Sequence, residues 1–149
     1  LLFEYSLALD NRASFPIHIL LEEAHRYVQN DNDINILGYN IFERITKEGR
    51  KYGVILGMIS QRPSEISETT LSQCNNFIIF KMTHPTDIAY IKKVVPFMSE
   101  ENAEKMKSIL PGNALCFGTA FKMPLLVKFE YPDPAPQSNN VNLGSVWFK

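Results

Sequence analysis

The chain has 149 residues, a length that suits one domain. Hydrophobic residues make up 45% and charged residues 21%, with no long block of one sign, which argues for a packed core and against wholesale disorder. A net charge of −1 excludes the basic profile of a free-standing nucleic-acid-binding domain, so any DNA contact has to come from a local patch or from many copies summing their charge.

The chain begins at Leu1 rather than Met and reads as an excerpt from a longer polypeptide. The opening stretch from Leu1 to Leu9 lacks the basic flank and long apolar run of a signal peptide. No segment approaches the ~20 apolar residues of a membrane span. Ile17-His18-Ile19-Leu20-Leu21 follows Pro16 and reads as a buried strand. Leu37, Ile41 and Ile45, with Phe42 beside them, mark one face of a helix that ends near Gly49 or Gly53. Val54 to Ile59 is a second buried strand and Phe77 to Phe80 a third. A helix starts at His84-Pro85, because proline suits a first helical position, and runs to Val94 or Val95. Another starts at Ser99-Glu100-Glu101, a hydroxyl cap followed by two carboxylates on the positive helix end. After the Pro111-Gly112-Asn113 turn, Ala114 to Gly118 and Leu125 to Phe129 form a closing hairpin. Beyond Tyr131 the prolines and asparagines predict an extended tail over 132–149, with apolar Val146-Trp147-Phe148 free to dock elsewhere. Cys74 and Cys116 have no CxxC spacing and read as reduced, buried thiols of a cytoplasmic protein.

Strands alternating with helices predict an α/β fold with a mainly parallel sheet, in which chemistry sits at the carboxyl ends of the strands. Three segments then carry interest. After the first strand come Glu22-Glu23-Ala24-His25, two adjacent carboxylates that are costly to bury without a purpose. In a nucleotide hydrolase the first acid helps to hold Mg²⁺ and the second polarises the attacking water. The alternative is a pair of acids capping a helix that begins near Ala24. After the second strand come Ser60-Gln61-Arg62-Pro63, where a carboxamide can contact phosphate and water together. The alternative there is a plain turn. Before the second strand, Lys47 to Gly53 contains Arg50, whose guanidinium presents a fixed fork of donors to phosphate oxygens. Its alternative is a solvated helix end. Zinc is disfavoured: His18, Glu22, Glu23 and His25 form neither HExxH nor HxxEH.

PIHILLEEAH, then ITKEGRKYGVILGMISQRPSEI, then LSQCNNFIIFKMTHPTDIAYI, with the later LPGNALCFGTAFKMPLLVKFEYP, resembles the HerA-like branch of the HerA–FtsK ATPases in order and spacing. The likeness runs from about Phe15 to Pro132. It implies the C-terminal portion of a three-layer RecA-like (P-loop ASCE) core over 1–131, assembled as a homo-hexamer around double-stranded DNA. By that likeness Glu22 takes the Mg²⁺-side position of the Walker B acid pair and Glu23 the catalytic one. Gln61 matches the γ-phosphate sensor, and Arg50 the arginine supplied to the neighbouring subunit, with Lys51 and Arg44 as competitors. Glu22 departs from the common Asp by one methylene.

ATP and Mg²⁺ are the implied cofactors, and a nuclease or another effector is an implied partner. The larger departure is that no G-x-x-x-x-G-K-[ST] loop occurs in these residues, so ATP binding is expected to need a segment upstream of Leu1 and the chain alone is expected to be inactive. A conjugative-transfer ATPase shares the same logic. A non-catalytic docking or regulatory fragment that kept an ATPase-like fold is the reading from another class.

Overall fold

The computed structural model describes residues 2–29, 41–95 and 98–136. The chain opens with α1 (Leu2–Ala8), which buries Phe3 and turns the Ser6 hydroxyl back onto the Leu2 carbonyl at 3.2 Å. Strand β1 (Ile17–Leu21) follows and pairs in parallel with β2 (Val54–Met58), Ile17 facing Val54 and Leu21 facing Met58. A parallel pair needs a crossover. Its described part holds a 3₁₀ turn over Ala24–Arg26, α2 (Ile41–Glu48), and a second 3₁₀ turn over Gly49–Tyr52 that stops at Gly53 with φ 73. Glycine is required at 49 for a different reason: a Cβ there would lie 2.6 Å from the Val54 carbonyl oxygen. Phe3, Ile45 and Val54 form a small core under this crossover, with Leu7, Ile17, Ile19 and Tyr52 packed around it.

The second half is antiparallel. Strands β3 (Asn76–Ile79), β4 (Asn113–Gly118) and β5 (Leu125–Lys128) lie in the order β3-β4-β5. Helices α4 (Pro85–Val94) and α5 (Glu100–Ser108) connect β3 to β4. Ile88, Ile91, Val94, Ala103 and Met106 from these helices join Ile79, Leu115 and Phe117 in the main core. Each of the larger of these side chains (Ile, Val, Leu, Met, Phe) contributes roughly 1.5–3 kcal/mol through burial. Phe77 and Phe117 stack across the β3–β4 pair at 5.3 Å. The same core extends beneath the first half through Ala24, Val28 and Ile66.

The expected elements stand with small shifts. β2 ends at Met58, although the Ile59 amide still donates to the Leu21 carbonyl at 2.8 Å. β3 begins one residue early, at Asn76. Ser99 caps α5 by accepting from the Asn102 amide at 3.1 Å, and α4 spans the predicted residues. Two helices were not anticipated: α1, and α3 (Glu68–Ser72), which Ser67 caps. Parallel pairing is confined to β1 and β2 among the described residues, and β3 widens the closing hairpin to three strands. Leu37 and the Val146–Phe148 segment lie outside the described residues, and 132–136 carry no helix or strand. Both cysteines are free thiols; burial pushes Cys74 up to about 11 and raises Cys116 as well. No helix among the described residues is long and apolar enough to cross a membrane.

Candidate active site

Parallel strands in register send both of their following loops out at the same end. Here Leu21 and Met58 are opposite each other, so the segments 22–26 and 59–63 emerge side by side. Two backbone bonds stitch them: Ile59 N–H to the Leu21 carbonyl at 2.8 Å, and Ala24 N–H to the Ile59 carbonyl at 2.9 Å. Ala24 is fully buried and anchors the first loop in the main core. Pro63 is also buried, and Ser64 N–H donates to the Asp87 carboxylate at 3.1 Å, anchoring the second loop to α4.

Between these anchors, Glu23 adopts a left-handed backbone, φ 50 and ψ 46. For a non-glycine residue this costs about 1–2 kcal/mol. Glu23 stands at the N-cap position of the 3₁₀ turn Ala24–Arg26, yet its side chain makes no cap hydrogen bond. The carboxylate instead reaches across to the second loop, where Gln61 Nε2 donates to Glu23 Oε1 at 3.2 Å. His25 Nδ1 lies 3.3 Å from Glu23 Oε2 and 3.0 Å from Ser60 Oγ. Ser60 Oγ accepts from the Arg62 amide at 3.0 Å, which fixes its place in the turn. Arg62 itself pairs with Glu65 at 2.9 Å, and that hydrogen bond raises its pKa. Glu22 is exposed and makes no ion pair among the described residues.

The structure thus brings Glu23 and Gln61 into contact, with Glu22 beside them. It does not bring Arg50 to them. Arg50 and Lys51 are exposed in the 3₁₀ turn that precedes β2, at the opposite end of the strand pair. The five residues of β2 separate the two ends by about 16 Å at the usual strand rise. Arg44 faces Glu4 at 3.8 Å and Glu48 at 3.5 Å, and lies over the Phe3 ring at 5.4 Å. His25 and Ser60 were not singled out as partners of Glu23 from the sequence. The signal available was their placement one or two residues from Glu23 and Gln61, after neighbouring strands.

Among the described residues no three His, Cys, Asp or Glu side chains converge as a metal cluster. A Mg²⁺ ion needs no such cluster, since it is ordinarily held by one or two carboxylates together with phosphate oxygens and waters. The exposed Glu22 beside Glu23 fits that donor set.

No protein-family model matches the chain. Sequence relatives are clear. The DNA double-strand break repair helicase HerA of Sulfolobus acidocaldarius is 35% identical over 144 residues, 97% of this chain and 29% of that protein. HerA of Sulfurisphaera tokodaii is 36% identical, over 91% of this chain and 27% of that protein. A probable helicase of Methanocaldococcus jannaschii is 35% identical, over 90% of this chain and 26% of its own length. Among solved structures, the genome-packaging NTPase of Sulfolobus turreted icosahedral virus 2, in complex with ATP-gammaS, superposes with a TM-score of 0.62 at 18% identity. It covers 76% of this chain and 52% of its own. The DNA-packaging ATPase of Sulfolobus turreted icosahedral virus matches equally well at 21% identity. These likenesses support the α/β fold of a partial RecA-like NTPase core. The chain is thus similar to the HerA-named and probable helicases along nearly its whole length, and spans about a quarter of theirs.

Proposed function

We propose that this chain is part of a ring-forming, ATP-hydrolysing DNA translocase or helicase, and that it supplies the acid pair, the sensor and the trans-acting arginine. One observation carries the reading: Glu23 and Gln61 meet at 3.2 Å where two adjacent parallel strands end. The helicase names of the sequence relatives and the DNA-packaging name of a structural neighbour support it. The phosphate-binding loop would come from another part of a longer protein, so the chain alone should neither hydrolyse ATP nor bind duplex DNA tightly at its net charge of −1.

Bound ATP–Mg²⁺ supplies the electrophilic γ-phosphate and the cation that offsets its charge. In this reading Glu22 helps to hold the cation, through water. Glu23 accepts the proton of the attacking water as general base. Gln61, which can donate and accept at once, reports on the γ-phosphate while steering Glu23. Arg50 acts on the nucleotide of the neighbouring subunit in a homo-hexamer. Duplex DNA, an effector such as a nuclease, and a cytoplasmic location complete the reading.

Glu23→Gln in the intact protein tests it. The amide keeps the shape but cannot accept the proton, so turnover should fall by roughly 10²–10⁴ while nucleotide binding persists. Turnover at the wild-type rate would remove Glu23 from this role. Glu22→Ala should instead weaken Mg²⁺-dependent nucleotide binding.

A further inference from the structure

Glu23 has a strained backbone and a side chain that is 36% exposed, so neither its own turn nor packing fixes its carboxylate. Gln61 holds only one of its two oxygens. The other faces His25, whose side chain is 13% exposed and sits between the two loops. We propose that His25, braced by Ser60, is the second positioning residue of the hydrolytic site and sets the orientation of the Glu23 carboxylate. The proposal rests on Glu23 being the general base.

The argument is one of donors and acceptors. Ser60 Oγ already accepts from the Arg62 amide, so its place is set by backbone and not by the histidine. Nδ1 of His25 lies 3.0 Å from that oxygen and 3.3 Å from Glu23 Oε2. Were Nδ1 unprotonated, its lone pair would face an anionic oxygen. A carboxylate at this distance therefore selects the form with hydrogen on Nδ1. Ser60 Oγ is the hydrogen-bonded partner of Nδ1, and the Nδ1 hydrogen also attracts Glu23 Oε2, 3.3 Å from the same nitrogen. The two carboxylate oxygens then each face a group from a different loop: Gln61 hydrogen-bonds Oε1, and His25 Nδ1 lies 3.3 Å from Oε2. His25 follows the buried Ala24 in the same 3₁₀ turn, so its ring is carried by the main core and not by the exposed loop. This gives the acid a fixed reference when Gln61 shifts toward phosphate.

The test uses the intact ATPase with His25→Ala, His25→Asn, Ser60→Ala and Glu23→Gln. Losing a hydrogen bond to a charged group should lower kcat in His25→Ala by roughly 10–100-fold, with KM for ATP changed less than about twofold. Asn places an amide N–H near the Nδ1 position, so His25→Asn should recover most of the loss. Ser60→Ala should show a smaller fall in kcat. The proposal is overturned if folded His25→Ala keeps its kcat, or if His25→Asn is as impaired as His25→Ala.

A second readout does not depend on turnover. In protein carrying ¹⁵N-labelled histidine at pH 8, where an ordinary imidazole is neutral, the resonance lost in His25→Asn should report hydrogen on Nδ1. In Glu23→Ala it should move to Nε2, with Nδ1 then accepting from the Ser60 hydroxyl. Finding hydrogen on Nε2 in the wild type also overturns the proposal. If Glu23→Gln turns over normally the reading of the site fails, and the labelled spectrum still judges the His25–Glu23 contact separately.

Discussion

The two ends of the β1–β2 pair are built differently. At the carboxyl end, each of the two loops carries a buried anchor beside its polar residues: Glu23 and His25 flank Ala24, and Arg62 precedes Pro63. Those buried residues belong to, or border, the large core shared with the antiparallel half. At the amino end, Arg50 and Lys51 stand on a short turn above a core of three buried residues, Phe3, Ile45 and Val54. The first arrangement holds side chains against one another within a chain. The second presents cations outward on a turn held by Gly49, Tyr52 and the Ile17 N–H to Gly53 carbonyl hydrogen bond at 2.9 Å. A residue that must meet its own chain's chemistry needs the first kind of support. A residue that must meet a neighbour needs the second.

The largest effect expected from this contrast is at Arg50. Arg50→Ala should reduce ATP turnover of the ring by ~10³-fold or more. Mixing such subunits with Glu23→Gln subunits should restore part of the activity, because some interfaces would join an intact Glu23 to an intact Arg50. A homo-hexamer of Arg50→Ala with full turnover would show that the outward cations are only solvated.

A smaller effect, on stability, is expected at the turn that carries them. Gly49→Ala forces a Cβ to within 2.6 Å of the Val54 carbonyl oxygen unless the backbone shifts. It should destabilise the fold by about 1–3 kcal/mol, measured as a lower urea midpoint with unchanged slope. An unchanged midpoint would mean that this turn yields readily.

The smallest concerns the better-packed half. Cys74 is held near pKa 11 by burial, against 9.0 for an ordinary thiol. At pH 8 its thiolate fraction is about 0.1%, roughly 100-fold below a free thiol, and alkylation should slow in proportion. The sign for stability follows: above pH 9 the unfolded thiol loses its proton while the folded one keeps it, so this contribution declines as pH rises from about 9 to about 11. Rapid alkylation of Cys74 in the folded protein would mean that the antiparallel half opens more easily than its core suggests.

Much of this was readable from the residues. Apolar runs that begin after Pro16, Gly53 and Pro111-Gly112 mark β1, β2 and β4 because local chemistry alone sets where those strands start. Ser99 and Pro85 mark helix starts for the same reason. Helix α3 is five residues long, too short for periodicity to reveal, and α1 depends on burying Phe3 against a crossover distant in sequence. Glu22, Glu23 and Gln61 were visible as residues following strands. The Glu23–His25–Ser60 contacts were not, because they depend on which strands are neighbours and in what register. The direction of pairing for Phe77 to Phe80 was likewise hidden, since an apolar run of four does not distinguish parallel from antiparallel partners.

The left-handed backbone at Glu23 has a consequence for how this sequence can drift. Glycine would relax that position and remove the carboxylate in the same step. A lineage screened only for heat resistance would find such a replacement tolerable, and one screened for turnover would reject it. On the proposed role of Glu23 as general base, position 23 is a place where robustness and activity are selected against each other, and a glycine there in an otherwise similar chain would mark a fold kept after that chemistry was given up.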